Sequence, residues 1–319
     1  MNTPRPRPTT QLLERLARAL KRHLPAAVAG DDRGVHQARV TSRRLREAMP
    51  VLGTGLKGSH AGKARRKIRR LTRALGTVRE LDVTLQILDE LARIESVPRT
   101  AVEDVRAHVV AERESWRKVM VERLDGVNTE KLGRRLASVG EALQNATGEP
   151  WREALAARLL KRAKRLAASI DEAGQMYAPE KLHQVRIAAK KLRYGLELAA
   201  DSGLKQAAPH VRAIKRAQDM LGKLHDLQVL QGHVAAVQAA PKITRASART
   251  ALETLARHLE DRCRHLHGRY IAAAPALRDV CAAIRKTIVP QLAHPARRRR
   301  TLKMTLPRAA AGRVAQGRH

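Results

Sequence analysis

Two stretches decide the reading: VHQARVTSRRLRE, from Val35 to Glu47, and LHQVRIAAKKLRY, from Leu182 to Tyr194. They align without a gap at an offset of 147 residues. His36 falls on His183, Gln37 on Gln184, Arg39 on Arg186, Arg43 on Lys190, Arg44 on Lys191 and Arg46 on Arg193. A second pair, IRRLTRALGTVRELDV (Ile68–Val83) and IKRAQDMLGKLHDLQV (Ile214–Val229), follows at an offset of 146. Two collinear matches at nearly one offset mark a duplication, so the chain reads as two homologous halves of about 150 residues.

Each repeated stretch is patterned as a helix. At 100° per residue His183, Arg186, Lys190 and Arg193 fall within a stripe of about 80°, with Tyr194 at its border, while Val185, Ala189, Leu192 and Leu196 lie opposite. In the first copy His36, Arg39, Arg43 and Arg46 share one stripe, opposed by Ala38, Leu45, Ala48, Met49 and Leu52. The helices that follow repeat the design. Lys63, Arg66, Arg69, Arg70 and Arg73 oppose Ala64, Ile68, Leu71 and Leu75; Arg212, Lys215 and Arg216 oppose Ile214, Ala217, Leu221 and Leu224. Like charges at i,i+3 and i,i+4 cost an isolated helix roughly 0.2–0.5 kcal/mol per pair, so these stripes point to a ligand and not to stability.

The composition agrees with helices. Of 319 residues 43% are apolar but only 2% aromatic, with no Phe, so the core must be built from Leu, Ala, Val and Ile. A formal net charge of +34 calls for a polyanionic partner. The excess is concentrated: Arg33 to Arg79 holds 14 basic residues and one acid, Glu47, and Val280 to His319 holds 10 basic residues and no acid. Two cysteines, Cys263 and Cys281, are too few for a disulfide scaffold or an all-cysteine zinc site. The N-terminus has no apolar signal core and no stretch is long enough to span a membrane, which predicts a cytoplasmic protein without membrane attachment.

Further helices are expected near Thr10–Val28, Glu80–Arg93, Val102–Leu124, Glu130–Gln144, Arg152–Glu172, Leu227–Val237, Ile243–Ile271 and Val280–Val289. Pro150 suits a first helical position, and Thr100 with Glu103 fits a capping box. The expected organisation is a flexible N-terminus (1–9), a first half (10–150), a second half (151–289) and a disordered basic tail (290–319) carrying Arg297–Arg300.

The duplicated pattern His-x-x-Arg-(apolar)-x-x-(Lys/Arg)-(Lys/Arg)-Leu-Arg resembles that of the conserved histidine α-helical domain, or CHAD, family over roughly Thr10 to Val289. Tyr194, Glu197 and the segments Leu75–Leu81 and Leu221–Leu227 fit as well. The resemblance implies an all-α fold of two antiparallel helical bundles, related by pseudo-twofold symmetry around a central basic cavity. It also implies inorganic polyphosphate as ligand and, often, association with polyphosphate granules; the binding is expected to be non-catalytic and to need no cofactor. The residues expected to bind are His36, Arg39, Arg43, Arg44, Arg46, Lys63, Arg66, Arg69, Arg70 and Arg73 in the first half. In the second they are His183, Arg186, Lys190, Lys191, Arg193, Tyr194, Arg212, Lys215 and Arg216.

The chemistry suits that ligand. Arg offers a fixed fork for two phosphate oxygens, Lys a mobile point charge, and a neutral His one N–H donor. Glu80, Asp82, Glu197, Asp219 and Asp226 are expected to orient Arg side chains. Two other readings compete. Non-specific DNA or RNA binding could use the basic tail, although single-strand binders use aromatic platforms and only Tyr194 borders a basic stripe. A phosphohydrolase would need a carboxylate cluster holding a metal, and the basic blocks are poor in carboxylates. Glu112–Glu114, His225–Asp226 and Cys263 with His265 and His267 are isolated groups on this reading.

Overall fold

A computed structural model describes residues 6–57, 60–240 and 245–293, and among these twelve helical segments account for the regular structure. Helices α1 (Pro8–Val28), α2 (Asp32–Leu52), α3 (Ala61–Ala74), α4 (Gly76–Leu91), α5 (Arg99–Asp125) and α6 (Thr129–Asn145) form the first half. The second contains α7 (Pro150–Ala173), α8 (Pro179–Asp201), α9 (Ala207–Gln238) and α10 (Ala246–Ala283). A π-helical stretch (Ile284–Ile288) and α11 (Val289–Ala293) close it. No strand occurs among the described residues, so the fold is all-α as expected.

The helices begin where local chemistry starts them. Pro8, Pro150 and Pro179 each occupy a first-turn position, where a missing N–H costs nothing. Asp31 accepts from the Gly34 N–H at the start of α2, and Asn128 accepts from the Lys131 N–H at the start of α6. The predicted capping box at Thr100 does not form. Helix α5 starts at Arg99 behind Pro98, which leaves Thr100 inside the first turn with no capping bond.

The duplication is visible in the element bounds. Shifted by 147 residues, α2 covers 179–199, against Pro179–Asp201 for α8. The same shift carries α3 and α4 onto the single helix α9, and α5 onto the first part of α10. Sequence periodicity predicts separate helices in the second half near 212–224 and 227–237; instead α9 runs unbroken, while its counterpart turns at Leu75. Helix α10 extends past the predicted end at Ile271 and passes through Pro275, close to where the first half turns from α5 into α6. Proline removes a ladder hydrogen bond, so it marks the remnant of that junction.

Packing repeats as well. In each half the first two helices pair, as α1 with α2 and α7 with α8, and the second meets the third, as α2 with α3 and α8 with α9. Between halves α2 touches α7 and α8, α1 touches α8, and α4 and α5 touch α9. The apolar faces read from the four patterned helices are buried throughout: Ala38, Leu45 and Met49 on α2, Ile68 and Leu71 on α3, Val185, Leu192 and Leu196 on α8, Ile214 and Leu221 on α9. One contiguous core joins both halves.

The described helices extend past 10–289 at both ends, from Pro8 to Ala293. The Arg7 N–H donates to Gln144 Oε1 and its guanidinium to the Ala146 carbonyl, and Thr9 is buried. At the other end Leu292 is fully buried in α11, which packs on α7. Arg297–Arg300 lie outside the described residues.

Candidate functional site

Helices α2 and α8 meet with their apolar sides in the core, which turns their cationic stripes toward a shared cleft of about 370 Å³. Its lining reproduces the duplication. His36 and His183, Arg39 and Arg186, Val40 and Ile187, and Arg43 and Lys190 all line it, each pair at the 147 offset. Arg79 with His225 and Glu80 with Asp226 add two more pairs, at the 146 offset of the second repeat. Val83 and Tyr194 complete the wall. Gly76, at the start of α4, leaves room for Arg39: a Cβ there would lie 3.0 Å from Arg39 Nη1.

The cations crowd one another. Burial first, then Arg43, pulls Arg39 down to about 10, with Glu80 and Tyr194 opposing, so it keeps its charge at neutral pH. Burial likewise lowers Arg43 and Arg186. Lys190 suffers most: burial, and then the fields of Arg43, Arg186, Arg39 and Arg193, bring it to about 6. His36 is lowered by burial, then by Arg79 and Arg39. His183 is lowered by burial, then by His225, Arg186 and Lys190. His183 Nδ1 sits 3.2 Å from His225 Nδ1, close enough for one ring nitrogen to donate to the other.

The two acids in the cleft each face a nitrogen-bearing side chain. His225 Nε2 lies 3.8 Å from Glu80 Oε1, and Arg186 Nη2 lies 3.8 Å from Asp226 Oδ1. The neighbouring His225 imidazole lowers the Glu80 carboxyl, while burial raises that of Asp226 against the pull of Arg186. Tyr194 forms a platform at the edge, with the Arg193 guanidinium 4.8 Å and that of Arg43 5.8 Å from its ring centre. Arg193 is fixed there by bonds of 2.7 Å to Gln218 Oε1 and 2.7 Å to Glu197 Oε1.

Other residues expected at the site stand apart from this lining. Arg44 pairs with Glu197 at 3.8 Å, and Lys191 is exposed. Arg46 lies close enough to act on Arg39 and Arg43 but reaches Glu47. Glu47, the one acid of the first basic block, is buried, binds Arg162 and faces Arg158 at 3.5 Å, tying α2 to α7. Lys63, Arg66, Arg69, Arg70 and Arg73 are exposed on α3, and Arg212, Lys215 and Arg216 on the first turns of α9. A cationic stripe marks the side facing away from the core but not which solvent space that side meets. Of the acids expected to orient Arg, Asp82 receives Arg113 at 2.7 Å, whereas Asp219 holds Lys215 and Glu80 faces a histidine. Arg79 and His225 escaped the stripe argument; their alignment within the second repeated segment was the signal that could have found them.

A groove of similar size between α1 and α6 is walled by Leu20, Leu24, Leu132 and Leu136, with Arg18, Lys21, Glu130 and Arg134 also in its lining, and it includes neither repeated cationic stripe. No described helix is long and apolar enough to cross a membrane.

No curated protein sequence matches the chain significantly. Among solved structures, the CHAD domain from the plant Ricinus communis is similar with a TM-score of 0.61 at 23% identity, covering 86% of this chain and 91% of that one. PptA from Streptomyces chartreusis is similar with a TM-score of 0.59 at 15% identity, covering 84% and 99%. At such identities the likeness establishes the all-α fold. A model of the CHAD domain family matches residues 11–235, a span that takes in both repeated helices and every residue lining the cleft, and the chain belongs to that family.

Proposed function

We propose that the chain binds inorganic polyphosphate in the cleft between α2 and α8 and releases it unchanged. The observation that carries this reading is the cation crowding: Arg39, Arg43, Arg186 and Lys190, drawn from both halves, share one cleft of about 370 Å³. Such a cluster is costly when empty, and a ligand with a negative charge on every repeating unit relieves the repulsion along its whole length. The family's association with polyphosphate-related proteins selects this polyanion among others. The paired lining favours a pseudo-twofold axis through the cleft, so that a linear ligand meets equivalent donors from either side. Of the cleft carboxylates Asp226 faces Arg186 and Glu80 faces His225, an arrangement that fits binding better than turnover. On this reading the protein associates with polyphosphate granules in the cytoplasm, and nucleic acid is a weaker competitor drawn to the exposed cations.

Calorimetric titration with long-chain polyphosphate tests the proposal, with an orthophosphate assay on the same samples. Tight binding that weakens steeply with salt, resists excess DNA and liberates no orthophosphate is the expected outcome. Displacement by equimolar DNA, or phosphate release that stops on replacing Glu80 or Asp226, would overturn it.

A further inference from the structure

Away from the cleft, α5 and α9 bring together three side chains that the polyanion reading does not use. His108 and Glu112 stand one turn apart on α5, and His233 reaches them from α9. His108 Nε2 lies 3.8 Å from Glu112 Oε2, and His233 Nδ1 lies 3.5 Å from the same oxygen. One ligand atom from each of the three fits within a span of 4.8 Å. A tetrahedral zinc ion with bonds of 2.0–2.2 Å keeps its ligands about 3.4 Å apart, so two of these separations are already near the required edge.

We infer that His108, Glu112 and His233 form a binding site for a divalent transition-metal ion of the zinc class, with its fourth position open to solvent. Two imidazoles and one carboxylate suit zinc and its neighbours better than calcium or magnesium, which prefer oxygen donors throughout. His233 is nearly enclosed, with 13% of its side chain exposed, whereas His108 and Glu112 are about two-fifths exposed at 39% and 37%, so water can reach one side of the trio. The site is not a by-product of the duplication. At the 146 offset the counterparts of His108, Glu112 and His233 are Thr254, His258 and Ile87, which include one imidazole and no carboxylate. Because α5 belongs to the first half and α9 to the second, an ion here would clamp the two halves together. His233 is eight residues beyond His225 on one helix, about 12 Å along its axis, so the ion would not occupy the cleft itself.

The test uses chelator-stripped full-length protein and Zn²⁺ alone, without polyphosphate, which would itself sequester the metal. One ion per chain is expected by calorimetry, with a rise in thermal midpoint as zinc is added. His108→Ala, Glu112→Gln and His233→Ala should each weaken binding at least tenfold and abolish the thermal shift, while His225→Ala leaves both intact. Circular dichroism identifies any variant that fails to fold; for such a variant His233→Gln takes its place, which keeps the volume but removes the imidazole. No stoichiometric zinc binding, or binding that survives all trio replacements and so belongs to other histidines, would overturn the assignment.

Discussion

At the scale of single residues the cleft is governed by how its cations tolerate one another, and Lys190 is the most telling. Its ammonium meets Arg39 and Arg43 from α2 and Arg186 and Arg193 from its own helix, with Asp226 of α9 as the opposing charge. Burial, and after it the repulsion of arginines that cannot lose a proton at neutral pH, brings the lysine to about 6. In the empty cleft at pH 8 Lys190 is therefore neutral. Phosphate oxygens placed among the arginines would restore its charged form, so binding should take up a proton. The sign follows: affinity is highest below about pH 6, where Lys190 is already charged, and falls as pH rises above that value. Calorimetry at pH 8 in buffers of different ionisation enthalpy counts the protons. Lys190→Met should bind with close to one proton less taken up than wild type. His36 and His183 can also gain protons, and because Lys190 acts on His183 the comparison is repeated in a His183→Gln background, where that contribution is absent. Equal uptake would mean that Lys190 stays charged in the empty cleft.

Between residue and molecule stand the helix crossings, and Gly34 sets one of them. A Cβ at this position would lie 2.7 Å from the backbone of Ala26 and Ala27, atoms that cannot step aside without moving α1. Alanine ordinarily stabilises a helix over glycine by about 0.5–1 kcal/mol. Here the clash should reverse the sign, and Gly34→Ala should lose about 1–3 kcal/mol. Gly133, on the exposed side of α6, meets nothing within 4 Å, so Gly133→Ala should gain the ordinary increment. Urea denaturation of the two variants checks the pair, and a stabilised Gly34→Ala would show that α1 yields freely. What the sequence revealed at this scale follows the same physics. Helices α2 and α8 were legible because their apolar and cationic faces are pure and their bounds repeat. The unbroken course of α9 was not, since both halves carry the same Leu-Gly pair, Leu75–Gly76 and Leu221–Gly222, yet the chain turns at the first and continues through the second. Nor could stripes on single helices separate cleft residues such as Arg39 from surface ones such as Arg69. Only the meeting of α2 with α8, and of α4 with α9, decides which polar side faces which space. The repeat alone related Arg79 to His225 across that space.

For the molecule as a whole, the question is whether duplication produced two sites or one. The lining argues for one, because nearly every cleft residue has its counterpart on the opposite wall. Arg39 and Arg43 would then act on the same stretch of polyanion as Arg186 and Lys190. All four stand on the polar sides of their helices, so exchanging them spares the core. A well-formed charge-assisted contact contributes about 1.5–3 kcal/mol, less where water screens it, and a carboxylate in its place adds repulsion. Arg39→Glu with Arg43→Glu should lower affinity at least a hundredfold although α8 is untouched, and Arg186→Glu with Lys190→Glu should do the same although α2 is untouched. Two independent sites would behave otherwise: each double variant would retain one site at full affinity and lose only half of the stoichiometry. Titration with a polyphosphate too short to bridge separate sites distinguishes these outcomes. The expected result is one binding event per wild-type chain and none of comparable strength in either variant. Two events per wild-type chain, with one surviving intact in each variant, would refute the shared cleft and return the duplication to a pair of separate half-sites.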